Sequence, residues 1–131
     1  MSKDTAPRTG SRPVVVVAGA AGSGKSTFAR TLSSAAGLAL LDKDTLCGPF
    51  ANALASLVSG DPDDRHSSRY LSDIRPLEYL ALTGTMFEML EHGCPGAALT
   101  APFAAEVSNP AWVQEFAEAC TSRGAQLTIV W

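Results

Sequence analysis

The feature that most constrains this chain is the stretch Gly19-Ala20-Ala21-Gly22-Ser23-Gly24-Lys25-Ser26-Thr27, set between a β-branched run and a helical pattern. Before it, Val14-Val15-Val16-Val17 is a continuous apolar run of the kind buried on both faces of a parallel sheet. After it, Phe28, Ala29, Leu32 and Ala36 recur at helical spacing, and Gly37 stands where a C-terminal cap belongs. Strand, glycine turn and helix in that order predict a crossover that starts at the carboxyl end of a central strand, with the glycines permitting the tight reversal.

The same stretch satisfies G-x-x-x-x-G-K-[ST], the Walker A pattern, in the strand-to-helix context the pattern requires. Glycines at Gly19, Gly22 and Gly24 let the main chain of Ala20, Ala21 and Ser23 curl, so that N–H groups point inward at phosphate oxygens. The positive end of the following helix adds to that field. Lys25 is expected to reach the β- and γ-phosphates, Ser26 to offer the hydroxyl that coordinates Mg2+, and Thr27 to support the turn. The expected ligand is a nucleoside triphosphate. No Asn-Lys-x-Asp guanine-reading motif is present, which favours ATP over GTP.

The remainder alternates short apolar runs with helical patterns. Leu38-Ala39-Leu40-Leu41 reads as a second strand, ending in Asp42-Lys43-Asp44, and Leu46, Phe50, Leu54 and Leu57 then recur at helical intervals. Gly60 to Ser68 is a polar, turn-rich loop expected to be mobile and lid-like. A long helix is predicted from near Asp73 to Glu91, presenting Ile74, Leu77, Leu80, Ala81, Gly84, Phe87 and Leu90 on one side, with Pro76 in its first turn or at a kink and His92-Gly93 closing it. Ala97 to Thr100, Pro110 to Ser122 and Gln126 to Trp131 read as strand, helix and strand. This alternation predicts an α/β fold, a three-layer parallel sheet flanked by helices with right-handed crossovers. Residues 1–12 read as a flexible polar leader and 13–131 as one nucleotide-binding domain.

The third strand candidate ends in Thr100-Ala101-Pro102-Phe103 rather than in the aspartate expected of a Walker B strand, which weakens a motor-ATPase reading. A different carboxylate pair, Asp42 and Asp44, ends the second strand, where open parallel sheets bind their ligands. Here Leu41-Asp42-Lys43-Asp44-Thr45-Leu46 resembles the aspartate corner of small P-loop kinases, the group that includes chloramphenicol phosphotransferase, zeta toxins and polynucleotide kinase. The resemblance implies phosphoryl transfer from ATP to a hydroxyl of a small-molecule acceptor, with Asp44 as the base. A carboxylate within hydrogen-bond reach can orient an alcohol and take its proton. Asp42 could instead play this part or hold a magnesium-bound water, and Asp44 could instead be the N-cap of the following helix.

Arg65, Arg69 and Arg75 flank the polar loop and are candidates to grip phosphates or an anionic acceptor, Arg75 foremost, although arginines are common on surfaces. Pro102-Phe103 is a candidate lining of the acceptor pocket. Trp112, Phe116 and Trp131 read as core rather than as a stacking platform, and His66 and His92 as solvated or capping. Members of the resembled group continue past a fourth strand into an arginine-bearing lid, a fifth strand and an adenine-contacting loop. The chain is therefore expected to be a shortened form, with an exposed sheet edge at Leu127-Thr128-Ile129-Val130-Trp131 that favours a homodimer. A non-catalytic ATP-binding module and an acceptor-independent ATPase are the alternatives.

Ten basic and 13 acidic residues in 131, a net charge of −3, provide no general basic field for a DNA backbone. Three widely spaced cysteines, Cys47, Cys94 and Cys120, suit neither a disulfide framework nor a paired zinc site. With no apolar run of signal-peptide or membrane-spanning length, the expected compartment is the cytoplasm.

Overall fold

A computed structural model describes residues 11–20 and 22–131. The expected leader lies, through residue 10, outside the described residues; Arg12, assigned to it from the sequence, instead opens the first strand. Four strands, β1 (Arg12–Ala18), β2 (Ala39–Asp42), β3 (Ala97–Ala101) and β4 (Ala125–Val130), form one all-parallel sheet in the order β2-β3-β1-β4. The helices are α1 (Lys25–Ala36), α2 (Lys43–Ser59), α3 (Arg75–Glu91), α4 (Ala104–Val107) and α5 (Pro110–Thr121), with a π-helical turn at Tyr70–Ile74 leading into α3.

The valine run is buried on both faces because strand alternation sends its side chains two ways. Val14, Val16 and Ala18 join Leu99, Ala101 and the helices α3 and α5 in the larger core. Val15 and Val17 join Ala98 and Leu40 under Ala29 and Leu32 of α1. That division makes three layers. Arg12 ties the start of β1 to the loops at the amino ends of its neighbours, donating to the carbonyls of Leu90 at 2.5 Å and Cys94 at 2.9 Å, and to that of Arg123.

Several punctuation residues act as expected: Gly37 caps α1 in the left-handed region, Pro76 and Pro110 sit in first turns, and the His92 ring lies 2.9 Å from the Glu88 carbonyl at the end of α3. Gly96 (φ +155°) starts β3 where a Cβ would lie 2.6 Å from the Pro13 carbonyl oxygen.

The buried faces of α2 and α3 differ from those predicted. On α2 the core side carries Lys43, Cys47, Ala51 and Ala55, while Phe50, Leu54 and Leu57 are exposed. On α3 it carries Glu78, Tyr79, Leu82, Met86 and Leu90; of the predicted face, Ile74 in the preceding π-helical turn and Leu90 are buried and Phe87 is half-buried, whereas Leu77, Leu80, Ala81 and Gly84 face solvent. The two helices meet through small residues and a buried ion pair. Lys43 Nζ lies 3.1 Å from Glu78 Oε2, each residue about 5% exposed, and the Tyr70 hydroxyl donates to Glu78 Oε1. The outward apolar residues leave an open groove of about 260 Å3 between α2 and α3.

Candidate functional site

The glycine loop adopts the backbone its sequence calls for. Gly19, Gly22 and Gly24 have φ of +151°, +79° and +86°, a region that residues with a Cβ rarely enter. Gly19 also has no room for a side chain, since a Cβ there would lie 2.8 Å from Ser23 Oγ. The loop is pinned at its start by the Gly19 N–H donating to the Pro102 carbonyl at 3.3 Å, and within itself by Ser23 N–H to Ala20 at 3.2 Å. Gly24 is the N-cap of α1 and offers no side chain to the first turn. The first-turn amides of α1 therefore receive no side-chain cap and have the helix dipole behind them, as an anion site needs. Lys25 and Ser26, both half-buried, are the first two residues of the helix. Thr27 is exposed within its first turn, its carbonyl accepting from the Thr31 hydroxyl at 3.0 Å. Ala21 lies outside the described residues. A cavity of about 490 Å3 opens beside the loop, lined by Gly19, Lys25, Phe28, Val130 and Trp131 among others. Trp131, read from the sequence as core, is 73% exposed and lines the cavity together with Phe28, which is 46% exposed.

The aspartate corner divides its labour. Asp42 is the N-cap of α2: its Oδ1 accepts from the amides of Asp44 at 2.8 Å and Thr45 at 3.4 Å. The cap considered for Asp44 thus belongs to Asp42, and Asp44 projects into solvent, 87% exposed, with Lys43 Nζ 3.6 Å away. Lys43 is a buried anchor that fixes the corner. Asp44, Gly48 and Asn52 form one face of α2, and with Asp63 and Arg65 they line a polar basin of about 390 Å3.

Thr100 stands where the Walker B aspartate is missing. It is paired in register with Val17 on one side and Asp42 on the other, and is 2% exposed. Its hydroxyl is the one buried side-chain polar atom among the described residues that has no hydrogen-bond partner.

Arg65, Arg69 and Arg75 each already have a partner. Arg75 forms a two-pronged pair with Glu106 at 2.5 and 2.9 Å and lies 4.4 Å over the Tyr79 ring, so in this arrangement it is not available to a phosphate. Hydrogen bonding to Glu106 raises its pKa further. Arg65 bonds Asn52 Oδ1 at 2.5 Å and covers the Tyr70 ring, and Arg69 pairs with Asp73 at 2.9 Å. The polar loop is more structured than a mobile lid: Asp64 accepts from the amides of His66 and Ser67 and from the Ser67 hydroxyl, bonds that hold its carboxyl well below the usual range.

Phe103 does not line an acceptor pocket. It is fully buried against Tyr79 and Trp112, and its backbone is left-handed at φ +55°, with its N–H donating to the Tyr79 hydroxyl at 3.0 Å. This strained turn positions the Pro102 carbonyl that holds Gly19. Burial pushes the Tyr79 hydroxyl up to about 12 and the Cys120 thiol up to about 11, and it raises the Cys47 thiol. Among the described residues no His, Cys, Asp and Glu cluster could by itself hold a metal, and no helix is long and apolar enough to cross a membrane.

A parallel sheet in the order β2-β3-β1-β4, with a glycine loop of this geometry between β1 and α1, defines a P-loop nucleotide-binding domain. The AAA domain family model matches residues 14–131, and the chain belongs to that family. A solved structure from Chloroflexus aurantiacus, described as a "putative kinase", has the same fold, with a TM-score of 0.55 and 19% identity over 91% of this chain and 58% of that one. This chain thus spans little more than half the length of that relative. No curated protein matches it.

Proposed function

We propose that this domain transfers the γ-phosphoryl group of ATP to a hydroxyl of a small polar acceptor. The observation that carries the reading is the release of Asp44 from capping duty. Asp42 caps α2, so an exposed carboxylate is left at the carboxyl end of β2, on the wall of a polar basin. The loop amides and Lys25 would hold the phosphates, and Ser26 would hold Mg2+. The orphan Thr100 hydroxyl and the second oxygen of Asp42, unbonded among the described residues, fit the surroundings such an ion needs. When bound, Mg2+ would neutralise charge on the phosphoryl oxygens. Asp44 orients the acceptor hydroxyl and takes its proton as the acceptor oxygen bonds to the γ-phosphorus and the bridging bond to ADP breaks. Arg75 has no direct part.

The basin wall of Asp44, Asn52, Asp63 and Arg65 suits a polar acceptor rich in hydroxyl or amino groups. A panel of polyols, amino sugars and nucleosides, assayed for phosphorylated product with ATP and Mg2+, tests this reading. The expected result is product from at least one acceptor, reduced at least a hundredfold by Asp44→Asn while ATP still binds. Phosphate release that ignores every acceptor and survives Asp44→Asn would make the domain a hydrolytic ATPase. Binding without any product would make it a nucleotide-binding module.

A further inference from the structure

Resting on the nucleotide-binding reading of the site, we propose that Thr100 is a positioning residue for the metal-bound nucleotide. Its hydroxyl, beside Asp42, is assigned to a water of the Mg2+ that Ser26 holds.

Three observations converge. First, the position is the carboxyl end of β3, directly between Val17, which leads into the glycine loop, and Asp42. Second, strand alternation fixes the face. Val15, Val17, Ala98 and Leu40 pack on the α1 side of the sheet. Thr100 is two residues beyond Ala98 and Asp42 two beyond Leu40, so both side chains project to the side where α1 starts with Lys25 and Ser26. Third, the hydroxyl is buried and unpartnered, whereas buried polar groups in folded proteins almost always bond to something. A valine of the same shape would satisfy the core, so the oxygen has a cost with no return inside the chain.

A threonine differs chemically from the carboxylate usual here. It offers a neutral donor and acceptor to a coordinated water but adds no charge, leaving Asp42 as the anion of the pair. It is also too weak a base to activate water by itself. The hydroxyl is sealed from solvent in this conformation, and its exposure to the ion requires a small local opening as the nucleotide seats.

The test compares wild type, Thr100→Val and Thr100→Ser by titration calorimetry with ATP, with Mg2+ and with EDTA. In Thr100→Val the gain in affinity conferred by Mg2+ should shrink about tenfold while affinity in EDTA is unchanged, and Thr100→Ser should restore most of it. The free Thr100→Val protein should melt at or above the wild-type temperature, which establishes that it folds and that the oxygen is unpaired. An unchanged Mg2+ gain in folded Thr100→Val would overturn the assignment and leave the phosphotransferase reading standing. Absence of ATP binding by the wild type would overturn both.

Discussion

Replacing Lys43 by methionine should destabilise the domain severely, by about 3–5 kcal/mol, although the apolar length of the side chain is retained. The magnitude follows from what is left behind. Glu78 is 4% exposed, and its Oε2 faces Lys43 Nζ at 3.1 Å. The Tyr70 hydroxyl bonds its other oxygen but contributes no charge. Removing the ammonium strands a carboxylate in the seam between α2 and α3. A domain of this size has a total stability on the order of 10 kcal/mol, so a third or more of it is at stake. Urea unfolding followed by far-ultraviolet circular dichroism measures the loss as a shift in midpoint at constant slope. The double variant Lys43→Met/Glu78→Leu should recover most of the loss, because apolar side chains satisfy a seam already built from Cys47, Ala51 and Ile74. A loss below about 1 kcal/mol in the single variant, or a double variant no better than the single, would refute the view that the pair is a buried, mutually dependent anchor of the aspartate corner.

Gly96→Ala should lower stability by about 2 kcal/mol or more in the same assay, since its Cβ would sit 2.6 Å from the Pro13 oxygen on a backbone at φ +155°. Asp42→Ala should cost about 1 kcal/mol through loss of the α2 cap and should also weaken the Mg2+ dependence of ATP binding. Alkali should destabilise the fold, and Cys120 and Tyr79 contribute two overlapping parts of that fall. The Cys120 and Tyr79 protons are held more tightly in the folded chain, up to about 11 and about 12, than in the unfolded one, near 9 and 10. Their contribution is therefore intact below pH 9 and lost as pH rises from 9 to 12, on the order of 2 kcal/mol for each. Melting curves across that range should show the fall, and Cys120→Ala, though less stable at neutral pH, should show a shallower one between 9 and 11.

The layered fold was legible because β1 is unambiguous: four consecutive valines followed by a glycine turn leave one way to bury both faces. The phosphate loop was legible for the same reason, each glycine answering a backbone angle. The faces of α2 and α3 were not, because size misleads there. Phe50, Leu54, Leu57, Leu77 and Leu80 look like core by periodicity yet face outward, while the seam is made of Ala51, Ala55, Cys47 and the Lys43–Glu78 pair. A buried lysine and glutamate separated by 35 positions leave no local trace in a sequence. The Asp42 and Asp44 roles were open for a related reason, since either carboxylate suits a cap and only the helix start decides between them. The sequence marked Thr100 only as the place where a Walker B aspartate is missing; its unpartnered hydroxyl shows only once β3 lies between β1 and β2. Arg75 looked available until Glu106, brought near by the turn at Phe103, claimed it.

The claim beneath all of these is that the amides and lysine of one loop grip a triphosphate. Titration calorimetry of the domain with ATP and Mg2+, repeated on Lys25→Ala, tests it most directly. A triphosphate grip predicts saturable one-to-one binding that Lys25→Ala weakens at least tenfold with the melting temperature unchanged; a folded wild-type protein that takes up no ATP, or a Lys25→Ala variant that binds it equally well, would contradict it.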